Sequence, residues 1–123
     1  MTPLGARMRE LRAAKGIPLK TMAKALGVSA AYLSALEHGH RGVPRSGFLE
    51  LVNACLNNGW EEAEELRALA SISDPKVTLN TGGLSPKATE LANRLGAQIR
   101  ELDDSRLDAL LAELAEIEEG RGG

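Results

Sequence analysis

The chain has 123 residues and a mass of 13.1 kDa, enough for one compact domain or for a small domain with an appendage. It lacks a run of roughly eighteen apolar residues and a basic-then-apolar leader, so neither a membrane span nor a secreted protein is expected. The lone Cys55 excludes an internal disulfide and fits a cytoplasmic protein; the net charge is −2.

The first predicted helix runs from Pro3 to Lys15. Thr2 is its N-cap, Pro3 its first residue, Leu4, Met8 and Leu11 its buried stripe, and Gly16 its stop. A second helix spans Leu19 to Leu26 and ends at Gly27. A third covers Ala30 to His38 behind the hydroxyl cap of Ser29. Leu33 and Leu36 face inward at helical spacing, which leaves Ala30, Ala31, Ser34 and Ala35 mostly outward. The fourth helix, from Ser46 or Gly47 to Leu56, is expected to bury Phe48, Leu51, Val52 and Cys55. Asn57-Asn58-Gly59 supplies a left-handed stop. Asn58 with Glu61 reads as a capping box for a fifth helix over Trp60 to Ile72, with Trp60 assigned to the core. Residues 1–72 thus form a five-helix module.

Composition changes at Ser73-Asp74-Pro75. Lys76-Val77-Thr78-Leu79-Asn80 alternates and is β-prone, so residues 73–84 read equally as a short strand needing a partner or as an extended linker. Ser85-Pro86 opens a sixth helix reaching Leu102, with Leu91, Leu95, Ile99 and Leu102 along one side. Asp103 or Asp104 caps a seventh, from Ser105 to Glu118, carrying Leu107, Leu110, Leu111, Leu114 and Ile117. Residues 85–119 form a helical extension, and 120–123 are expected to fray. The fold class is all-α, with at most one short strand.

The segment Leu19–Gly39 brings together Ala23, Gly27, the Ser29 cap, the Leu33/Leu36 pair and the closing Glu37-His38-Gly39. In this register it resembles the helix-turn-helix of the Cro/cI repressors, the XRE family. The resemblance covers residues 4–57 well and the rest weakly. It implies a double-stranded DNA-binding regulator of transcription, with Ser29, Ala30, Ala31, Tyr32 and Ser34 on the base-reading helix. Tyr32 would touch phosphate or sugar through its hydroxyl, or pack its ring on the second helix or the loop after Gly39. The loop His38–Arg45 resembles the family's backbone-clamping segment, so Lys20, Lys24, His40, Arg41 and Arg45 become the expected phosphate contacts, with Arg7 or Arg9 behind them. Arg12 resembles the arginine that pairs with the glutamate at position 37. Pro18 and Leu19 depart from the family's hydroxyl cap and glutamine, which removes one phosphate anchor.

Charge follows the same division. Residues 1–45 carry eight basic against two acidic side chains, whereas residues 46–123 carry seven against fifteen. A polyphosphate backbone responds to the local patch, not to the total. Small side chains on the third helix cannot make the bidentate contacts that glutamine or arginine make to purines, so much of the discrimination would come through DNA shape.

The family implication extends to a homodimer on a (pseudo)palindromic operator, and Leu91, Leu95, Ile99, Leu102, Leu107, Leu111 and Leu114 are the candidate dimerisation residues. Packing back onto the first and fifth helices is the alternative. A second functional reading is an antitoxin-type module whose carboxy-terminal helices grip a toxin while the amino-terminal half represses its own operon. No catalytic residues, metal site or cofactor are expected. His38 and His40 lack a third ligand, Gly82-Gly83 lacks a following Gly-Lys-Ser/Thr, and Glu61 and Glu62 sit where a helix start explains them. A small-molecule effector remains open as a partner.

Overall fold

A computed structural model describes residues 1–122. The regular elements among them are all helical: α1 Pro3–Ala14, α2 Leu19–Leu26, α3 Ala30–Glu37, α4 Ser46–Cys55, α5 Trp60–Ala70, α6 Pro86–Gln98, a 3₁₀ turn Ile99–Glu101, and α7 Asp104–Gly122. The chain divides into two units, Met1–Val77 and the residues from Thr78 onward.

Local chemistry sets the helix boundaries of the first unit. Thr2 Oγ1 accepts from the Gly5 N–H at 3.0 Å, and Pro3 occupies the first helical position, where a missing N–H costs nothing. Gly16 and Gly27 terminate α1 and α2 with φ of 66° and 73°, a left-handed backbone that a Cβ disfavours. Asn57 serves the same purpose after α4 at φ 52°, and the Asn58 N–H then donates back to the Asn53 carbonyl at 2.9 Å.

The core of this unit joins Leu4, Met8 and Leu11 of α1 to Met22, Ala23 and Leu26 of α2. Leu33 and Leu36 of α3, Leu49, Val52 and Leu56 at α4, and Leu66 of α5 complete it. Helix α1 packs on α3 and α5, α2 packs on α3 and α4, and α4 packs on α5. Leu33, Met8, Met22, Val52, Leu56 and Leu66 are fully enclosed. Each such side chain contributes about 1.5–3 kcal/mol through removal of apolar surface from water.

Two further contacts close the unit. Ser73 is buried and bonded on both sides: its Oγ accepts from the Leu4 N–H at 2.9 Å and donates to the Leu69 carbonyl at 2.6 Å. It thereby satisfies a second orphan donor of α1 and ties the end of α5 to the start of α1. Gly5 lies against the end of α3, where a Cβ would stand 2.0 Å from the Glu37 carbonyl oxygen. Only glycine permits that approach.

Several expected positions differ. Trp60, assigned to the core, is 78% exposed, because it is the first residue of α5 and points off the bundle. Leu51 is 55% exposed while Leu49 is buried, so the inward face of α4 is rotated from the expected Phe48/Leu51 stripe. Phe48 and Cys55 are half-buried and pack against the core. Gly59 caps α5 in place of Asn58, and the residue reaching back is Glu62, whose Oε1 accepts from the Gly59 N–H at 3.3 Å. Asn58 donates its side-chain amide to Asn53 Oδ1 at 2.8 Å instead. Helix α5 stops at Ala70, leaving Ile72 exposed.

Residues 76–80 adopt neither helix nor strand. Asp74 and Asn80 accept through Oδ1 from the backbone two residues on, at 2.9 Å each, and these local turns compete with strand pairing.

In the second unit, α6 begins at Pro86 and the expected single helix to Leu102 changes to a 3₁₀ turn after Gln98. Leu102 is extended, with ψ 128°. Asp103 Oδ1 accepts from the Arg106 N–H at 2.9 Å and caps α7. Helix α7 continues past Glu118 to Gly122, so residues 120–122, expected to fray, are helical; the last residue, Gly123, lies outside the described residues. No residue between 78 and 121 is buried. Leu91, Leu95, Ile99, Leu110, Leu111, Leu114 and Ile117 are all exposed, and Leu102 and Leu107 are half-covered.

Candidate nucleic-acid interface

The α2–turn–α3 unit rests on short-range bonds that the sequence supplies directly. The Val28 N–H donates to the Ala23 carbonyl at 3.0 Å across the Gly27 turn, and Ala23 is buried where the two helices cross. Ser29 Oγ accepts from the Tyr32 N–H at 3.0 Å, so its hydroxyl is occupied by capping, although the residue is exposed. Ala31 is exposed, and Ser34 and Ala35 are half-buried. Ala30 packs against the core instead of facing outward, because the first turn of α3 leans onto the bundle.

Basic side chains divide into two groups. Arg7 donates to Glu65 at 2.7 Å and to Glu10 at 3.0 Å; these carboxylates raise its pKa and hold it on the α1–α5 side. Lys15 bonds the Leu56 carbonyl and Asn58 Oδ1, with Glu62 at 3.6 Å, and so closes the end of α4. By contrast, Arg9 on α1, Lys20 and Lys24 on α2, and Arg41 and Arg45 after α3, are exposed and have no carboxylate partner among the described residues. An unpaired exposed cation keeps its full attraction for phosphate.

Glu37, the last residue of α3, is only 1% exposed. Arg12 Nη2 donates to Glu37 Oε1 at 3.2 Å, with the two side chains 13% and 2% exposed. Among the described residues, Glu37 Oε2 and Arg12 Nε have no hydrogen-bond partner. Burial pushes the Glu37 carboxyl above its ordinary pKa, against the pull of Arg12, Arg9 and His38. Desolvation therefore outweighs the ion pair here.

The loop that follows opens with Gly39 at φ 81°. The His40 N–H donates to the Ala35 carbonyl at 2.9 Å, and the His38 and His40 rings stack with centroids 6.4 Å apart. His38 Nδ1 lies 2.8 Å from the Ser34 carbonyl. Among the described residues no cluster of three His, Cys, Asp or Glu could hold a metal. Likewise, no helix is long and apolar enough to cross a membrane.

Tyr32 is half-buried, with Phe48 edge-on to its ring and the Arg41 guanidinium over it. The Arg41 contact matches the expected alternative of ring packing on the loop after Gly39; the part of Phe48, and the roles of Gly5, Ser73 and Lys15, were not foreseen from the sequence. Gly5 carried one available signal: a glycine in the first turn of a helix, where no positive φ is needed, marks a close approach of another backbone.

Residues 3–56 match a protein family described as Helix-turn-helix domain. A curated relative, the uncharacterized HTH-type transcriptional regulator RghRB of Bacillus subtilis (strain 168), is 34% identical over 61 residues, which is 50% of this chain and 44% of that protein. The chain thus spans less than half the length of the relative it matches. No solved structure matches it. Residues 3–56 are thus similar to a helix-turn-helix domain, and their α2–Gly27–α3 geometry agrees with that likeness.

Proposed function

We propose that this chain is a transcriptional regulator that binds double-stranded DNA through α3, without enzymatic activity, as a homodimer on a (pseudo)palindromic operator. The observation that carries the reading is the sorting of charge. Arg7, Arg12 and Lys15 are engaged by carboxylates within the bundle; of the basic residues left without a carboxylate partner among the described residues, Lys20, Lys24, Arg41 and Arg45 lie on the elements flanking α3, and Arg9 lies on α1. Neutralising phosphates with such cations releases counterions, so affinity falls with salt at a slope of about 0.9 per contact.

In this reading Ser29, Ala30, Ala31, Tyr32 and Ser34 lie on the DNA-facing helix, with His40 joining Lys20, Lys24, Arg41 and Arg45 toward phosphate. Ala31 is exposed and packs on a base edge, such as a thymine methyl. The second unit provides the dimer contact through Leu91, Leu95, Ile99, Leu102, Leu107, Leu111 and Leu114. A twofold pair then sets the half-site spacing at one helical turn of DNA or a multiple of it. The same uncovered apolar face equally favours the antitoxin alternative, in which another protein occupies it.

Retention on random and genomic duplex fragments over a salt series tests the central claim. Salt-sensitive binding that Arg45→Ala weakens on all sequences alike supports it; no retention on any duplex overturns it. Sedimentation of the purified chain, alone and with the product of any adjacent gene, separates the homodimer from the antitoxin reading.

A further inference from the structure

Three side chains from three elements meet beside α3 in an arrangement that DNA binding alone does not require. Arg41, in the loop after α3, places its guanidinium carbon 5.5 Å from the centroid of the Tyr32 ring. Phe48 of α4 meets the same ring edge-on, with centroids 6.4 Å apart and planes at 77°. Phe48 itself packs against the hydrophobic core, so the group is anchored at its base.

A loop arginine without a carboxylate partner samples many rotamers, and binding must freeze them. A tyrosine face restricts that sampling beforehand, because a guanidinium is drawn to the electron-rich ring. Held over the ring by its charge, the guanidinium spends no conventional hydrogen bond on the contact and keeps its five N–H donors for other acceptors. The edge-on Phe48 keeps the tyrosine ring from rotating away, as T-shaped pairs prefer.

We propose that Tyr32 is a positioning residue and not a reader of DNA: braced by Phe48, its ring holds the Arg41 guanidinium so that the in-plane N–H groups meet phosphodiester oxygens of the duplex. The assignment rests on the reading of α3 as the DNA-facing helix. Of the two expectations for Tyr32, it takes the ring packed on the loop after Gly39 over the hydroxyl contact with DNA. The ring acts through Arg41, and the hydroxyl is dispensable.

The test uses the full chain with a random-sequence duplex, measured by fluorescence anisotropy over a salt series. Tyr32→Phe keeps the ring and is expected to bind like the parent. Tyr32→Leu weakens binding about two- to fivefold, the change that an exposed cation–π contact corresponds to. Arg41→Ala weakens it further and lowers the salt slope by about one. The double variant binds no worse than Arg41→Ala alone, since the ring has nothing left to position.

A Tyr32→Phe loss as large as that of Tyr32→Leu would overturn the proposal, because the hydroxyl would then touch DNA. Additive losses in the double variant would overturn it equally. Tyr32 is the sole tyrosine, so its ring proton resonances give a readout without DNA. They are expected to shift on Arg41→Ala and to hold the parent's fold elsewhere; unchanged resonances refute the stack. Should the parent bind no duplex at all while those resonances still shift, the DNA reading fails and the stack stands.

Discussion

Gly5→Ala places a single methyl where α1 meets the end of α3. The added Cβ would lie 2.0 Å from the Glu37 carbonyl oxygen and 2.7 Å from the Glu37 Cα and carbonyl carbon. Ordinary contact begins at 3.4 Å, so the oxygen would have to retreat by about 1.4 Å. The neighbour is backbone, not the end of a flexible side chain, so it cannot swing aside. Its retreat would lengthen the Thr2 N–H to Glu37 carbonyl bond, already 3.4 Å, and disturb the carboxylate that Arg12 holds. Overpacking by one methylene costs typically about 1–3 kcal/mol, and a rigid neighbour puts this site at or above the upper end. Alanine returns about 1 kcal/mol through helix propensity, less in a first turn. The clash wins, with a net loss of about 2–4 kcal/mol, or a fall in Tm of roughly 10–25 °C for a unit this small. Urea unfolding followed by circular dichroism should show a lower midpoint at an unchanged slope. Gly47→Ala, at a position where a Cβ meets nothing within 4 Å, provides the control and should be neutral or stabilising. A Gly5→Ala protein as stable as the parent would refute the close-approach argument.

The buried pair predicts an asymmetry. Because burial raises the Glu37 pKa, ionising it in the folded state is harder than in the unfolded chain. Its contribution is therefore most favourable below the ordinary carboxylate pKa and is lost as pH rises through the raised value. Arg12→Leu removes the main counterweight and should cost about 3–5 kcal/mol at neutral pH, with the penalty shrinking on acidification. Glu37→Gln, which resembles the protonated form, should cost clearly less; equal and pH-independent losses in thermal melts would contradict this. On the proposed DNA face, Ala31→Gln should change the motif recovered in a binding-site selection, since glutamine can bond adenine bidentately for about 1–3 kcal/mol of discrimination. An unchanged motif removes Ala31 from the readout. If the proposed dimer forms through the second unit, the full chain should sediment as a dimer and a chain ending at Val77 as a monomer; a persistent dimer places the interface in the first unit.

Capping and stop signals were legible because each acts over three or four residues. Thr2-Pro3, Gly16, Gly27 and Ser29 all stand in the backbone conformations that their own chemistry demands. The stripes Leu4/Met8/Leu11 and Leu33/Leu36 were equally legible, since helical period alone puts them on one face. Tertiary packing decided the rest. It chose Leu49 over Leu51 as the inward residue of α4, left Trp60 in solvent, and engaged Arg7 and Lys15 within the bundle instead of leaving them free. It also brought Gly5 against Glu37 and Arg41 over Tyr32. Periodicity specifies that a face is apolar but not its rotation by a third of a turn, and charge at a position does not reveal its nearest carboxylate. Those quantities depend on how helices far apart in the chain cross, and only the assembled bundle contains them.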